Sequence, residues 1–223
     1  MKIQSVVDIV TSNIRKKIIH GALSSGFRIK EADIMEELNI SRSPIREALK
    51  ILESEGLITI KPRKGAFVSE VTEKDIWEIY TVNASLTVLA IDFAIEKISQ
   101  DDIKKLETFI RAMEEGACQG PEDIEKYRKY HRIFHETLLQ IAGNRRLAQI
   151  CNGLDNQTSR FSKIIFSNNE HLMASLKRHK EILEAIKNKD RDLAARVTHE
   201  HIMEGMKNLQ SIFEKSKIEG GKL

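Results

Sequence analysis

Cysteine, proline and tryptophan are scarce: the 223 residues contain two, three and one of them. With only Cys118 and Cys151, and no CxxC pair, a disulfide framework is excluded. The stretch MKIQSVVDIVTSNIRKK lacks the apolar core of a secretory signal, so a cytoplasmic location is expected. No apolar run nears the roughly 18 residues of a membrane-spanning helix. LTVLAIDFAI is core-sized, and no membrane partner is expected. After residue 72 the only proline is Pro121, which leaves long stretches free of the one residue that breaks helices outright.

What is present is an ordinary globular mixture, 41% hydrophobic and 31% charged, long enough for one large domain or two small ones. The formal net charge of +3 is unevenly placed. Residues 1–70 hold 12 Lys+Arg against 9 Asp+Glu, and the remainder balances at 24 against 24. The excess positive charge therefore sits at the N-terminal end, a mild pointer to a polyanionic partner.

Periodicity places a first helix over residues 4–20, with Val7, Val10, Ile14 and Ile18 on one face, and a short second helix over Glu31–Leu38. In SRSPIREALKILESEG, Ser43 suits an N-cap and Pro44 the first helical position. Ile45, Ala48, Leu49 and Leu52 form one stripe, and Gly56 closes the helix. LITIKPRKGAFVSEV then reads as a hairpin, its runs Leu57–Lys61 and Ala66–Val68 joined by the basic tip PRKG. Further helices are expected over Glu73–Ile98, Gln100–Ala117, Glu122–Ala142, Asn144–Phe166, Glu170–Asn188 and Arg191–Lys215. The fold class is thus mostly α: a winged helix-turn-helix with a small β-hairpin wing over 1–71, and an antiparallel all-α helix bundle over 72–223.

Three helices followed by a basic hairpin suit DNA, with the third helix in the major groove and the wing along the backbone. Arg42 and Arg46 can bind guanine edges or phosphates through paired N–H groups, Ser43 opens the helix, and Lys50 continues its polar face. Lys61, Arg63 and Lys64 serve the wing, while Gly65 lets its backbone approach closely. The bland alternative is a solvated surface helix beside an ordinary polar hairpin.

Seven histidines are unevenly used. His131 falls in an apolar stripe with residues 124, 127, 134, 138 and 141, and His135 follows one turn on, so both rings can face one centre. His179 interrupts the stripe of Leu172, Leu176, Leu183 and Ile186. On the last helix, His199 and His201 lie about 200° apart; His201 shares its side with Ala194, Val197 and Gly205 and reads as interior. Inward histidines are open to two readings: neutral rings each with its own core hydrogen bond, or ligands of one metal ion that satisfies all of them. His20 and His171 read as surface or capping residues. A metallohydrolase of the HExxH type needs glutamate after His131, but Arg132 stands there, so no enzyme activity is expected.

The stretch IKEADIMEELNISRSPIREALKILESEGLITIKPRKGAFV closely resembles the DNA-binding domain of the GntR-type bacterial transcription regulators. The histidine segments HRIFHETLLQIAGNRRL, RHKEILEAIKNKD and DLAARVTHEHI resemble the FCD effector domain of that family's FadR-type members, more diffusely, over the remaining 150 or so residues. The resemblance implies a homodimer on a palindromic operator, with Arg42, Ser43, Arg46, Lys64 and Gly65 at the DNA. Ala32 stands where some members place a basic contact. The resemblance also maps three metal positions to His135, His179 and His201, and the fourth, usually aspartate, to His131. Four imidazoles form a softer, uncharged donor set than three with a carboxylate, which favours Zn²⁺, with Ni²⁺ the alternative. Binding is expected to weaken as pH falls through about 6.5, where free imidazole protonates.

The implied activity is ligand-responsive regulation, as a repressor in the simplest form, with a small carboxylate completing the metal's coordination. Where many members carry an effector-binding arginine on the first effector helix, this chain has VNASLT, with Asn83 in that place. Arg160 is the candidate substitute cation. A metal-responsive repressor, with the ion itself as effector, is the alternative.

Overall fold

The computed structural model describes residues 5–118 and 124–218. Residues up to Thr72 form one compact unit together with Gly153–Arg160; Glu73–Asn152 and the chain from Phe161 onward form a second.

In the first unit, α1 (Val6–Ile19) starts at a capping box: Asp8 N donates to Ser5 Oγ and Ser5 N to Asp8 Oδ2, both at 3.1 Å. Its Val10, Ile14 and Ile18 are buried, and the chain leaves it at His20, whose Nδ1 lies 2.7 Å from the Lys16 carbonyl. β1 (Arg28–Ile29) precedes α2 (Glu31–Leu38), which stops at Asn39 in the left-handed region. α3 (Arg42–Ser54) buries Ile45, Ala48, Leu49 and Leu52 against α1. Gly56, at φ +71°, lets Gly56 N and Leu57 N donate back to the Glu53 and Leu52 carbonyls, and this αL residue ends the helix. β2 (Ile58–Lys61) and β3 (Gly65–Val68) pair antiparallel with Ile58 opposite Val68, and β1 adds to the far side of β3.

Two expectations need correction here. The cap of α3 is Ser41, so Ser43 and Pro44 lie inside the first turn rather than at its cap and first position. Proline is tolerated there because the first four N–H groups of any helix have no intrahelical partner. The third strand, β1, was not expected: two residues carry no alternation to read.

The second unit contains α4 (Glu73–Lys97), α5 (Gln100–Cys118), α6 (Ile124–Ala142), the start of α7 (Arg145–Ser159), α8 (Ser162–Ser167), α9 (Asn169–Lys187) and α10 (Arg191–Ile218). The expected first residues of α6, Glu122 and Asp123, lie outside the described residues. α4 packs on α10 and α6, α5 on α6 and α9, and α9 on α10. Arg191 reaches Asp92 and Glu96 at 2.8 Å each, and Tyr80 lies beside Gly205, which makes α4 and α10 antiparallel. By length and composition alone α4 is apolar enough to cross a membrane, as core helices can be. It nevertheless packs in the bundle and buries Asn83 there.

The single helix expected over 144–166 is broken at Arg160–Phe161. Thr158 and Ser159 donate their hydroxyls to the Asp155 and Asn156 carbonyls, at 3.2 and 3.1 Å, competing with the helical ladder.

Candidate metal centre and nucleic-acid interface

α6 carries His131 and His135 on successive turns, α9 carries His179 and α10 carries His201. All four meet. One ring nitrogen from each lies within 4.8 Å of the others. His179 and His201 are buried, while His131 and His135 keep some accessible surface. His199 is exposed, as its opposite face requires.

Hydrogen bonding assigns the protons. His179 Nδ1 lies 2.7 Å from the Ser175 carbonyl, which can only accept, so Nδ1 carries the hydrogen and Nε2 the lone pair. That Nε2 is 3.0 Å from His135 Nε2. Ser175 is itself held by Tyr127, whose hydroxyl donates to Ser175 Oγ at 2.9 Å. A backbone carbonyl fixing the remote ring nitrogen is the usual support of a metal-ligating imidazole. Phe134 and Phe166 pack edge-on, 5.1 Å from the His179 and His131 rings. His171, expected at the surface, stacks on Phe166 beside the cluster.

Burial is the main force on the rings' charge. It lowers His135 to about 3 and His179 to about 4, and pushes His131 and His201 well below the ordinary range; neighbouring imidazoles add to the effect at His131, His135 and His201. All four are neutral at pH 7 and have lone pairs to offer. Four nitrogens ligating one ion tetrahedrally at about 2.1 Å lie about 3.4 Å apart, so the widest separations, up to 4.8 Å, close by up to about 1.4 Å on binding. The residues present fit a divalent ion.

In the first unit α3 exposes Arg42, Ser43, Arg46 and Lys50, while its opposite face is core. Arg46 Nε donates to both Glu31 carboxylate oxygens, at 3.1 and 3.2 Å, an exposed pair that DNA can replace. At the wing tip Arg63 has φ +60° and Gly65 φ +98°, the turn being closed by Lys64 N donating to the Lys61 carbonyl. The Arg28 guanidinium lies within 4 Å of where a Gly65 side chain would begin. That exposed arginine extends the basic wing, and sequence reasoning missed it because it precedes the hairpin by thirty-odd residues. Of the two candidate effector contacts, Asn83 is buried on α4 and accepts from Thr87 Oγ1 at 3.4 Å. Arg160 groups with the first unit, donating Nη1 to the Ser69 carbonyl at 2.7 Å.

The gntR family of bacterial regulatory proteins matches residues 7–68, and the FCD domain family matches residues 78–204. The chain belongs to the GntR family of bacterial transcriptional regulators, FCD type. This GntR-family chain is 30% identical to the HTH-type regulator YdhC of Bacillus subtilis over 207 residues, 92% of each chain. It is 32% identical to the gluconate operon transcriptional repressor of Bacillus licheniformis, over 86% of this chain and 80% of the relative. Its fold is similar to that of E. coli McbR/YncC, with TM-score 0.80 at 20% identity, covering 96% of this chain and 99% of that one. The gntR match falls within the first unit, and the FCD match spans most of the second together with residues 153–160 of the first.

Proposed function

We propose that this regulator is a repressor that binds a palindromic operator as a homodimer, and whose effector bundle holds a divalent metal and a small carboxylate that modulates operator affinity. The convergence of four neutral imidazoles on one point carries the metal reading. His131, His135, His179 and His201 would be the ligands. Their soft, uncharged character favours Zn²⁺, with Ni²⁺ next. When bound, the ion supplies a Lewis-acidic anchor for an anionic group. Arg42, Ser43, Arg46 and Lys50 would read the major groove, and Arg63, Lys64, Gly65 and Arg28 the backbone beside it. Asn83 remains the candidate effector contact on α4. Trp77, Val82 and Leu89, exposed on one apolar helix, support a second copy of the chain against α4.

Two relatives are named as repressors of a gluconate operon, which puts gluconate first among the acids to test. The deciding experiment measures operator affinity of the full chain with chelator, with Zn²⁺, and with Zn²⁺ plus organic acids, alongside metal content. About one metal per chain, and an acid that shifts affinity only in the metal-loaded protein, is the expected result. A shift by metal with no response to any acid would replace this reading by the metal-responsive one, and metal-free protein after loading would remove the centre.

A further inference from the structure

Arg46 stands apart from the other cations of α3. Arg42 and Lys50, also exposed there, enter no ion pair among the described residues, whereas Arg46 is paired with Glu31, the first residue of α2. That pair spans fifteen positions of sequence and joins the two helices of the helix-turn-helix. Two other ion pairs of the first unit, Arg15 with Glu55 and Lys17 with Glu37, tie α1 to the C-cap of α3 and to α2, away from the residues expected at DNA.

The way Arg46 is held matters more than that it is held. Its Nε–H donates to both Glu31 oxygens, at 3.1 and 3.2 Å, and neither Nη group makes a hydrogen bond among the described residues. A guanidinium presents five donors in a planar fork, and an anion taken side-on uses Nε. Glu31 occupies that side. The two Nη groups at the end of the fork stay available, and guanine O6 and N7 accept just such a pair of N–H donors. The Arg46 side chain is 63% exposed and that of Glu31 31%, so the arginine is tethered by a partly buried carboxylate while most of it remains in solvent.

A carboxylate here carries a cost at the DNA. The first turn of α2 holds Asp33 as well as Glu31, with Ala32 between them and only Lys30 before them. Acidic groups suit the start of a helix, but on a surface that approaches a duplex each is repelled by the phosphates. A phosphate bound side-on by Arg46 must displace Glu31 and then lie beside an unpaired carboxylate. A guanine bound end-on leaves the pair in place.

Resting on the reading of α3 above, we propose that Glu31 is a positioning residue that determines specificity through Arg46, presenting the guanidinium end-on to a guanine edge and penalising its use on phosphate. The carboxylate thereby widens the gap between operator and surrounding duplex, more by weakening the wrong contact than by strengthening the right one.

The test compares the full chain with Glu31→Ala, Glu31→Gln, Arg46→Ala and the Glu31→Ala/Arg46→Ala double variant, on an operator selected in vitro and on random-sequence duplex of the same length, across a salt series. Glu31→Ala should bind random duplex more tightly, with a salt slope steeper by about one, and its ratio of operator to random affinity should fall by about tenfold. Operator guanines are then replaced one at a time by 7-deazaguanine, which lacks the N7 acceptor. The unaltered chain should lose about tenfold at a single guanine of each half-site, a penalty that falls below about threefold in Glu31→Ala and in Arg46→Ala. Glu31→Gln keeps an acceptor for Nε and loses the charge, so it should retain the guanine penalty while showing the steeper salt slope. In the Arg46→Ala background, Glu31→Ala should leave the affinity ratio unchanged. An unchanged ratio in Glu31→Ala alone, or an undiminished guanine penalty there, overturns the role of Glu31 and leaves that of Arg46 standing. Unchanged operator affinity in Arg46→Ala overturns both.

Discussion

Replacing His179 with alanine tests the metal centre at its middle. The ring is fully buried and its centroid lies 4.7 Å from His131, 5.0 Å from His135 and 4.5 Å from His201. Removing it leaves a cavity beside Phe134 and abolishes the bond to the Ser175 carbonyl, which keeps its place in the helical ladder. Large-to-alanine changes in cores cost about 2–5 kcal/mol; the lower half of that range applies because the polar ring was itself unfavourable to bury. With chelator, the variant should therefore melt about 5–10 °C below the unaltered chain, at about 2–4 °C per kcal/mol for a protein of this size. Zinc at about a hundred times its dissociation constant stabilises a binding protein by about 2.7 kcal/mol, so it should raise the unaltered chain by a further 5–10 °C or so and leave the variant unmoved. Calorimetric melting in chelator and in zinc separates the packing loss from the metal loss. A melting temperature indifferent to zinc in the unaltered chain, or one metal per chain retained by His179→Ala, refutes the reasoning.

Acid should destabilise the metal-free protein early. Unfolded histidine protonates near 6.5, whereas burial holds His179 down to about 4 and His135 to about 3. Between those values the unfolded chain binds more protons, so stability present above about pH 6.5 is lost as pH falls. His179 alone accounts for on the order of 3 kcal/mol by pH 4, and equal denaturation midpoints at pH 7.5 and pH 5 in chelator would contradict this. The same burial should carry metal release to lower pH than the 6.5 expected of free imidazole. Arg46→Ala should lower affinity for a selected operator by about ten- to a hundredfold at moderate salt, with little change in melting because its exposed pair with Glu31 contributes at most about 1 kcal/mol; unchanged affinity would displace α3 as the reading helix. Lys64→Ala should weaken binding to all sequences alike and reduce the salt slope by about one, and a sequence-selective loss would show instead that the wing reads bases.

The first unit was largely legible because its apolar positions repeat at helical spacing and its punctuation is local. Val10, Ile14 and Ile18 define α1's buried face, Asn39 ends α2 and Gly56 ends α3. The cap of α3 falls two residues before the expected one because Ser41 and Ser43 are chemically equivalent, and the Ser41 side chain accepts no capping bond: Ser41 caps by backbone geometry alone. The break between α7 and α8 was not legible, since the apolar period of residues 147–166 runs through it. Hydroxyl bonds at Thr158 and Ser159, and the fixing of Arg160 on the Ser69 carbonyl, decide it. Those are contacts made over three residues and over ninety-one, and only the nearer kind leaves a trace in sequence.

The histidines were legible for a different reason. An imidazole on an apolar face is conspicuous, and helix geometry alone separates His201 from His199, leaving the first buried and the second exposed. A hydroxyl on such a face is not conspicuous. Ser175 and Thr198 are both buried, both near a cluster histidine in sequence, and indistinguishable by pattern. The difference lies in their partners: Ser175 receives Tyr127's hydroxyl and presents its carbonyl to His179, while Thr198 meets no partner in the described residues. Ser175 therefore belongs to the scaffold that aims a metal ligand, and its loss should disturb metal binding with or without an anion. Thr198 has nothing to aim, and an orphaned buried hydroxyl costs stability, so Thr198→Val should melt above the unaltered chain in chelator, and a lower melting temperature would show that the hydroxyl is satisfied.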